Sequence, residues 1–145
     1  MTTYKDIIDM IQAFAANHPQ INTFYSGKTW DFEANENMYP TLVCLPTAST
    51  IKKNELVITF NIISADILQE DKANLDFIYS NMLLIQTDIF SYLNNNDEDL
   101  NYSIYDDGFS IEPFQEDFTD VLAGWISTVD IHIPFRANNC TMVLN

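Results

Sequence analysis

A long alternating strand, followed closely by a long apolar helix, is the feature that most constrains the fold of this chain. In Glu55–Ile67 apolar side chains occupy both sets of alternating positions near the centre, which predicts a strand in the interior of a sheet. The next segment, Lys72–Leu93, carries apolar residues at helical spacing around most of its circumference. Such a helix has to pack on a sheet on one side and on another neighbour elsewhere. The middle of the chain therefore predicts a layered core of mixed α and β structure.

The segments before this unit predict a first helix and further strands. Tyr4–Ala15 has apolar residues at helical spacing, and Thr3 is placed to cap it. Ile21–Tyr25 and Thr29–Phe32 alternate as short strands. A third apolar stretch, Tyr39–Leu45, is also β-prone.

Two prolines limit that third stretch. Pro40 and Pro46 bound Tyr39–Leu45, so we expect a short strand or one at the edge of the sheet. The more polar residues that follow, Thr47–Asn54, are expected to form a loop.

The last third of the chain predicts a hairpin and a long strand. Asp106-Asp107-Gly108 lies between Tyr102–Tyr105 and Phe109–Ile111, and Asp-Gly between alternating runs is typical of a tight hairpin turn. We expect Pro113 to break the second arm of this hairpin. The long alternating segment Phe118–Phe135 follows.

Two details of the C-terminal third are also predicted. Gly124, inside the long alternating segment, indicates a bulge or bend. Thr141–Leu144 is expected to form a last short strand.

The fold class follows from the order of these elements. A chain of 145 residues is the length of one domain, so residues 1–145 are expected to form a single unit. Helix, strands, long helix and strands in that order predict an α+β fold. Its sheet is expected to be mostly antiparallel, with both helices packed on one face. Cys44 and Cys140 are far apart and form no metal-binding pattern, so we expect buried free thiols.

Negative charge is concentrated in the second half of the chain. The formal net charge is −15, and no Lys or Arg occurs between Lys72 and Arg136, a stretch with twelve acidic residues. Sequence-independent binding to nucleic acid needs basic groups, so this composition argues against it. The acidic stretch is either a solvated face or a surface that repels DNA or meets a basic partner.

Candidate catalytic groups are sparse. The acidic pairs Glu98-Asp99, Asp106-Asp107 and Glu116-Asp117 lie in predicted turns or loops, where solvated acids are expected. Asp130 and His132 are neighbours at strand spacing, but no Ser or Cys motif accompanies them. We therefore expect no catalysis, no cofactor and no metal site, and a small hydrolase is the weakest interpretation.

The sequence also predicts where the protein is located. No run of apolar residues approaches the length that is needed to span a membrane. The N-terminus holds Asp6 and Asp9 and lacks the basic and apolar pattern of a secretion signal. The expectation is a protein made and kept in the cytoplasm of its cell.

The order of elements resembles that of the tail-terminator and head–tail connector proteins of tailed bacteriophages. The features that carry this resemblance are the opening helix Tyr4–Ala15, the central strand and helix in Glu55–Leu93, and the final strand Val121–Phe135 running into Arg136-Ala137-Asn138. The Asn- and Ile-rich usage is similar to that of crAss-like phages.

The resemblance implies a structural virion protein of the neck or tail, made in the cytoplasm of the host bacterium. Such proteins form homo-oligomeric rings of six or twelve copies that join neighbouring neck and tail proteins, with DNA as transiting cargo. A ring subunit needs apolar side surfaces, and six positions are available for them. These candidate interface residues are Trp30, Phe32, Met38, Tyr39, Phe77 and Leu84.

The acidic half offers a second candidate surface. Carboxylates that line a channel would repel phosphates and let DNA slide, or they could meet a basic neighbouring protein. We call the candidate residues the acidic set: Asp97, Glu98, Asp99, Asp106, Asp107, Glu116, Asp117 and Asp120. The alternative function is an acidic inhibitor or adaptor that mimics DNA and occupies a basic protein cleft.

Overall fold

Five strands form one mixed sheet, and two helices pack on one of its faces. The computed structural model describes residues 1–27, 39–69, 71–95, 100–104, 110–117 and 121–135. Along the chain, the elements are α1 (Tyr4–Asn17), β1 (Thr23–Ser26), β2 (Thr41–Ile51), β3 (Glu55–Ile67), α2 (Leu75–Asn95), β4 (Ser110–Asp117) and β5 (Val121–Pro134). This is the predicted α+β fold.

The strands lie in the order β1-β2-β3-β5-β4. β1 pairs with β2 in parallel, and the three other pairings are antiparallel. β3 lies in the middle of the sheet and has the bounds that its apolar pattern predicts. β5 runs beside β3 over its whole length, from Ile67 opposite Leu122 to Glu55 opposite Pro134.

α1 begins at a reciprocal capping box. The Asp6 backbone N–H donates to Thr3 Oγ1 at 3.2 Å, and the Thr3 N–H donates to the Asp6 carboxylate at 2.9 Å. These bonds satisfy two of the donors that a helix N-terminus leaves open. They also hold the pKa of Asp6 below its usual value. The predicted cap is confirmed, and the helix ends two residues later than expected, before His18 and Pro19.

α2 begins three residues later than predicted. Lys72 has φ 59°, in the left-handed region, so the residues from Lys72 cannot continue into a right-handed helix. The helix ends at Asn95. On its inner side it packs mainly on β3 and β5.

The main core lies between the helices and the sheet. It takes one face of each helix together with the helix-facing residues of β2, β3 and β5. Its largest fully buried side chains are Ile7, Ile11, Leu42, Phe60, Ile62, Met82, Ile85, Ile89, Leu93, Ile131 and Ile133.

The opposite face of the sheet is also apolar at one end. A second buried cluster joins residues of β2, β3 and β5 with Tyr39, two residues before β2. Its members are Tyr39, Val43, Ile63, Ala65 and Leu122. The middle of β3 is therefore buried from both sides, as its sequence predicts.

The prediction for β2 is wrong in length and position. The strand runs for 11 residues and lies between β1 and β3 instead of at an edge. Pro46 is accommodated because the register with β3 shifts between Pro46 and Ala48. The residues assigned to a loop, Thr47–Asn54, continue the strand to Ile51, and a tight turn follows in which the Lys52 N–H donates to Glu55 O.

The prediction for the C-terminal hairpin is also wrong in its pairing. Ser103 forms two backbone hydrogen bonds with His132 of β5, and Ser110 and Ile111 also pair with β5, so in the described residues the two predicted arms do not pair with each other. Pro113 lies inside β4 without breaking it. β4 has β5 on one side only among the described residues, and a proline is tolerated at such an edge.

Gly124 does not mark a bulge. It pairs in regular register with Ala65 of β3 and with Phe114 of β4. A Cβ atom at this position would lie 1.8 Å from the backbone oxygen of Ser64. Glycine is required because of this close approach between strands.

Three predicted elements lie outside the described residues. They are the strand Thr29–Phe32, the turn Asp106-Asp107-Gly108 and the C-terminal strand Thr141–Leu144.

Candidate assembly surfaces

An exposed apolar stripe runs along the outer side of α2. Phe77 is 73% exposed and Leu84 is 56% exposed, two helical turns apart. Ser80 and Asn81 lie between them and are also exposed. We call these four residues the α2 stripe. No charged residue occurs between Asp76 and Asp88, so a chain of net charge −15 has an uncharged surface here.

The other predicted interface residues have different positions. Tyr39 is 4% exposed and belongs to the second core cluster, so its side chain fills the interior of the subunit and does not add to an apolar surface. Pro40 follows it directly, and Asn22 donates to the Tyr39 carbonyl at 2.6 Å, which connects Tyr39 to the residue before β1. Trp30, Phe32 and Met38 lie outside the described residues.

Most of the acidic set also lies outside the described residues. This applies to Asp97, Glu98, Asp99, Asp106, Asp107 and Asp120. Glu116 and Asp117 are the last two residues of β4, where the structure describes their backbone alone. The role of the acidic set stays a prediction.

An apolar groove lies where the N-terminus of α1 passes over the β2–β3 hairpin. Its volume is about 530 Å³, which is within the range of small-ligand and peptide sites. Tyr4, at its rim, is 41% exposed and stacks on Phe60 at 5.8 Å between ring centroids. The apolar side chains that line the groove belong to Met1, Tyr4, Pro46, Ala48, Leu56 and Ile58.

The second half of β2 has an open edge beside this groove. β1 pairs with Thr41–Cys44 only, so within the described residues Leu45–Ile51 has β3 as its single neighbour. Thr47–Ile51 is exposed throughout, and Ile51 is 73% exposed. The five residues contain no charge and no proline, the two features with which proteins usually protect a strand edge.

This edge was missed from the sequence because polar residues suggested a loop. A signal was present in the β-branched residues Thr47, Thr50 and Ile51, which are favoured in strands. Which side of a strand lacks a neighbour depends on pairing with distant residues, and the local sequence does not encode it.

Asp130 and His132 contact different partners on β3. Asp130 accepts a hydrogen bond from Thr59 Oγ1 at 2.6 Å, and His132 Nδ1 lies 3.3 Å from Glu55 Oε1. Ser127 is fully buried on the opposite face of the sheet. These contacts connect β3 to β5.

A buried polar cluster joins α2 to the sheet on its helix-covered face. Gln86, Ser64 and Ser127 have no exposed surface. Gln86 Nε2 lies 3.0 Å from Ile62 O and 3.2 Å from both Ser64 Oγ and Trp125 O. The cluster fixes the position of α2 over β3 and β5. A single polar residue inside the apolar stripe of α2 was its sequence signal.

The sequence matches no protein-family model and no curated protein. Among the described helices, none is long and apolar enough to cross a membrane. Within the same residues, His, Cys, Asp and Glu side chains form no group of three that could hold a metal ion. Three surfaces of the described residues are candidates for a function: the α2 stripe, the groove and the open edge of β2.

Proposed function

We propose that the chain is a structural subunit that assembles with copies of itself into a ring of six or twelve at the neck or tail end of a tailed-phage virion. The observation that carries the proposal is the α2 stripe. Each copy carries a net charge of −15, so two copies repel each other unless they meet through an uncharged surface. The stripe supplies such a surface, with two large apolar side chains at its ends.

The resemblance in element order supports the virion location. An opening helix, a central strand and long helix, and a long final strand are all present in the fold. In this proposal the ring joins neighbouring neck and tail proteins, and DNA passes through its centre without being bound. The acidic set lines that passage or meets a basic neighbouring protein.

Light scattering of the purified protein, followed by negative-stain imaging of the same sample, tests the ring. We expect one species of six or twelve copies with a central hole. A monomer at every concentration, or an open fibre of variable length, would contradict the proposal. The monomer would instead favour an acidic inhibitor or adaptor that binds a basic protein.

Substitution of the α2 stripe tests the surface itself. The double variant Phe77→Ser with Leu84→Ser removes both large apolar side chains from positions that the subunit core does not use. We expect the ring to dissociate while the thermal stability of the subunit stays close to that of the wild type. Ser91→Ala, at an exposed position near the end of the same helix, is the matched control. Rings that persist in the double variant would exclude the α2 stripe as a contact.

The acidic set has a separate test. The double variant Asp106→Lys with Asp107→Lys makes the net charge of each copy more positive by four units. If these residues line the channel, variant rings should retain DNA in a gel-shift assay at low salt, whereas wild-type rings do not. Asp71→Lys with Asp76→Lys carries the same charge change on other residues and is the control. Equal DNA retention by the two variants would exclude the channel position.

A further inference from the structure

The second half of β2 and β4 form edges on opposite sides of the sheet. On one side, the second half of β2 has no neighbour beyond β3 among the described residues, and Thr47–Ile51 is exposed. On the other side, β4 pairs with β5 alone among the described residues. An unpaired strand edge is a template for pairing with another chain. Two different edges on one subunit permit a head-to-tail contact between copies.

The open edge of β2 presents its backbone groups outward at known positions. The Lys52 N–H donates to Glu55 O at 2.8 Å, so these residues form a hydrogen-bonded pair at the end of the hairpin. Hydrogen-bonded and non-hydrogen-bonded pairs alternate along an antiparallel ladder. The N–H and C=O groups of Ile51 and Ser49 therefore point away from β3, towards the open side.

The two edges match in direction. β2 and β5 run the same way, while β3 and β4 run the opposite way. If a second copy in the same orientation places its β4 beside β2 of the first copy, the two strands run in opposite directions. The strand directions then continue to alternate across the junction, which is antiparallel. Antiparallel pairing is the slightly more stable arrangement per residue.

The two edges also match in the face that each presents. Ile51 and Ser49 lie opposite Leu56 and Ile58, which face the helices. On β4, Ile111 lies opposite Ser127, whose hydroxyl contacts Gln86 of α2. Residues directly opposite each other share a face of the sheet.

From this match we infer that β4 of one copy pairs antiparallel with the open edge of β2 in the next copy, with Ile111 opposite Ile51. The inference rests on the proposed ring and adds a second contact between neighbouring copies, beside the α2 stripe. In this register Ile111 extends towards the apolar groove beside Leu56 and covers the exposed side chain of Ile51. Backbone hydrogen bonds would then hold the strand, and the groove would select an apolar side chain, as in other cases of strand addition.

Charge supports this choice of partner. Lys52 and Lys53 directly follow the open edge of β2, and Glu112 is exposed on β4. In the inferred register Glu112 lies opposite Thr50 and diagonal to Lys52 on the same face, within reach of the long lysine side chain. A junction between two β4 edges would instead bring the acidic residues of both copies together.

Pro113 restricts what the β4 edge can pair with. In the inferred register it lies opposite Ser49, where it offers no N–H donor. The junction therefore lacks one backbone bond and depends on the groove as well. Another copy of this chain carries both the open edge of β2 and the groove. It is therefore a better partner for β4 than a strand of an unrelated protein.

The stagger between the two edges is compatible with a closed ring. Pro113 of β4 pairs with Trp125 of β5, which pairs with Ser64 of β3. Ser49 of β2 pairs with Ile58 of β3, which is six residues from Ser64 on the same strand. That distance is about 20 Å along the strand, and one repeat of four strands, including the junction to the next copy, is about 19 Å wide across the sheet. If all copies lie at the same height along the ring axis, their strands tilt by about 45° from that axis. This tilt is close to the one found in closed barrels.

Disulfide formation between copies tests the junction directly. Ile51→Cys together with Ile111→Cys is made in a Cys140→Ser background, which leaves Cys44 buried. Each copy can then link to two neighbours. After oxidation and alkylation, we expect a ladder on a non-reducing gel that ends at the copy number of the ring. Each single-cysteine variant is the control and should stay monomeric on the gel, because Ile51 meets Ile111 and not another Ile51.

Failure of the junction and failure of the ring give different results. A ring seen by light scattering with no ladder from the double-cysteine variant would overturn the junction and leave the proposed function standing. A monomer at every concentration would overturn both. A ladder that ends at the dimer would show a symmetric contact and would also overturn the junction.

Charge exchange gives a second test. Glu112→Lys places a positive charge diagonal to Lys52, and we expect assembly at low salt to weaken about three- to tenfold. Adding Lys52→Glu should restore it. Asp71→Lys is the control, since it makes the same change in net charge away from both edges. Equal weakening by Asp71→Lys, or no rescue by Lys52→Glu, would argue against the inferred register.

Discussion

Ser127 of β5 donates a hydrogen bond to the side-chain oxygen of Gln86 of α2 at 2.9 Å, and both residues are fully buried. The same hydroxyl lies 3.3 Å from Ile62 O, to which Gln86 Nε2 also donates. Ser64 donates to the Met82 carbonyl of the helix at 3.0 Å. Because the side chains of Ser64, Gln86 and Ser127 are fully buried, these hydrogen bonds hold the long helix at one position over the sheet.

Replacement of Gln86 by Leu should destabilise the subunit by about 1–3 kcal/mol, because it leaves buried polar atoms of Ser64 and Ser127 with fewer partners. Chemical denaturation followed by circular dichroism measures the free energy of unfolding. Adding Ser127→Ala should recover part of the loss, since removing both partners costs less than removing one. Asn94→Ala, at an exposed amide of the same helix outside the α2 stripe, is the control and should change stability by less than about 0.5 kcal/mol. Unchanged stability in Gln86→Leu would show that the cluster does not hold the helix.

A second prediction concerns the close approach of β3 and β5. Gly124→Ala would place a methyl group 1.8 Å from the backbone oxygen of Ser64, so the strands have to separate. We expect a loss of at least about 1–3 kcal/mol, the usual cost of overpacking. Ala123→Gly, at the neighbouring buried position, is a useful contrast because it removes a methyl group without forcing the strands apart. A Gly124→Ala protein as stable as the wild type would contradict the distance.

The sequence predicted the centre of this fold better than its edges. β3 and α2 carry apolar patterns strong enough to specify their type, and the bounds of β3 are as expected. The second half of β2 has exposed polar residues and is a strand because β3 pairs with it, which no local pattern shows. In the same way, Ser103 pairs with His132, nearly thirty residues away, instead of with the nearby segment.

The same difference between local pattern and distant pairing applies to the candidate surfaces. Phe77 and Leu84 were predicted because they extend the apolar stripe of α2 beyond the width that one contact face needs. Tyr39 was assigned to the surface in error, since its burial depends on distant residues of β3 and β5. The open edge of β2 could not be predicted, because it requires knowing where β1 stops.

A third prediction concerns Cys44. The thiol is fully buried in the main core, and burial raises its pKa to about 12. The thiolate is the reactive form, so Cys44 should not react with iodoacetamide at pH 8 while the subunit is folded. It should react readily in 6 M guanidinium chloride. Mass spectrometry of a Cys140→Ser variant measures both results, and rapid labelling of the folded protein would contradict the burial.

The last prediction concerns Asp66, near the end of β3. Partial burial raises the pKa of its carboxyl group, and a hydrogen bond from the Ile67 N–H at 2.8 Å opposes that effect. A raised pKa means that the folded state binds the proton more tightly than the unfolded state does, so this group lowers stability as pH rises through the two pKa values. Asp66→Asn keeps an oxygen that can accept from Ile67 and removes the charge. We therefore expect the variant to be more stable than the wild type at pH 7, with the difference vanishing below pH 3. Denaturation curves at several pH values measure the difference, with Asp71→Asn as a control at an exposed position. A difference that stays constant across this range would show that the charge of Asp66 is not its cause.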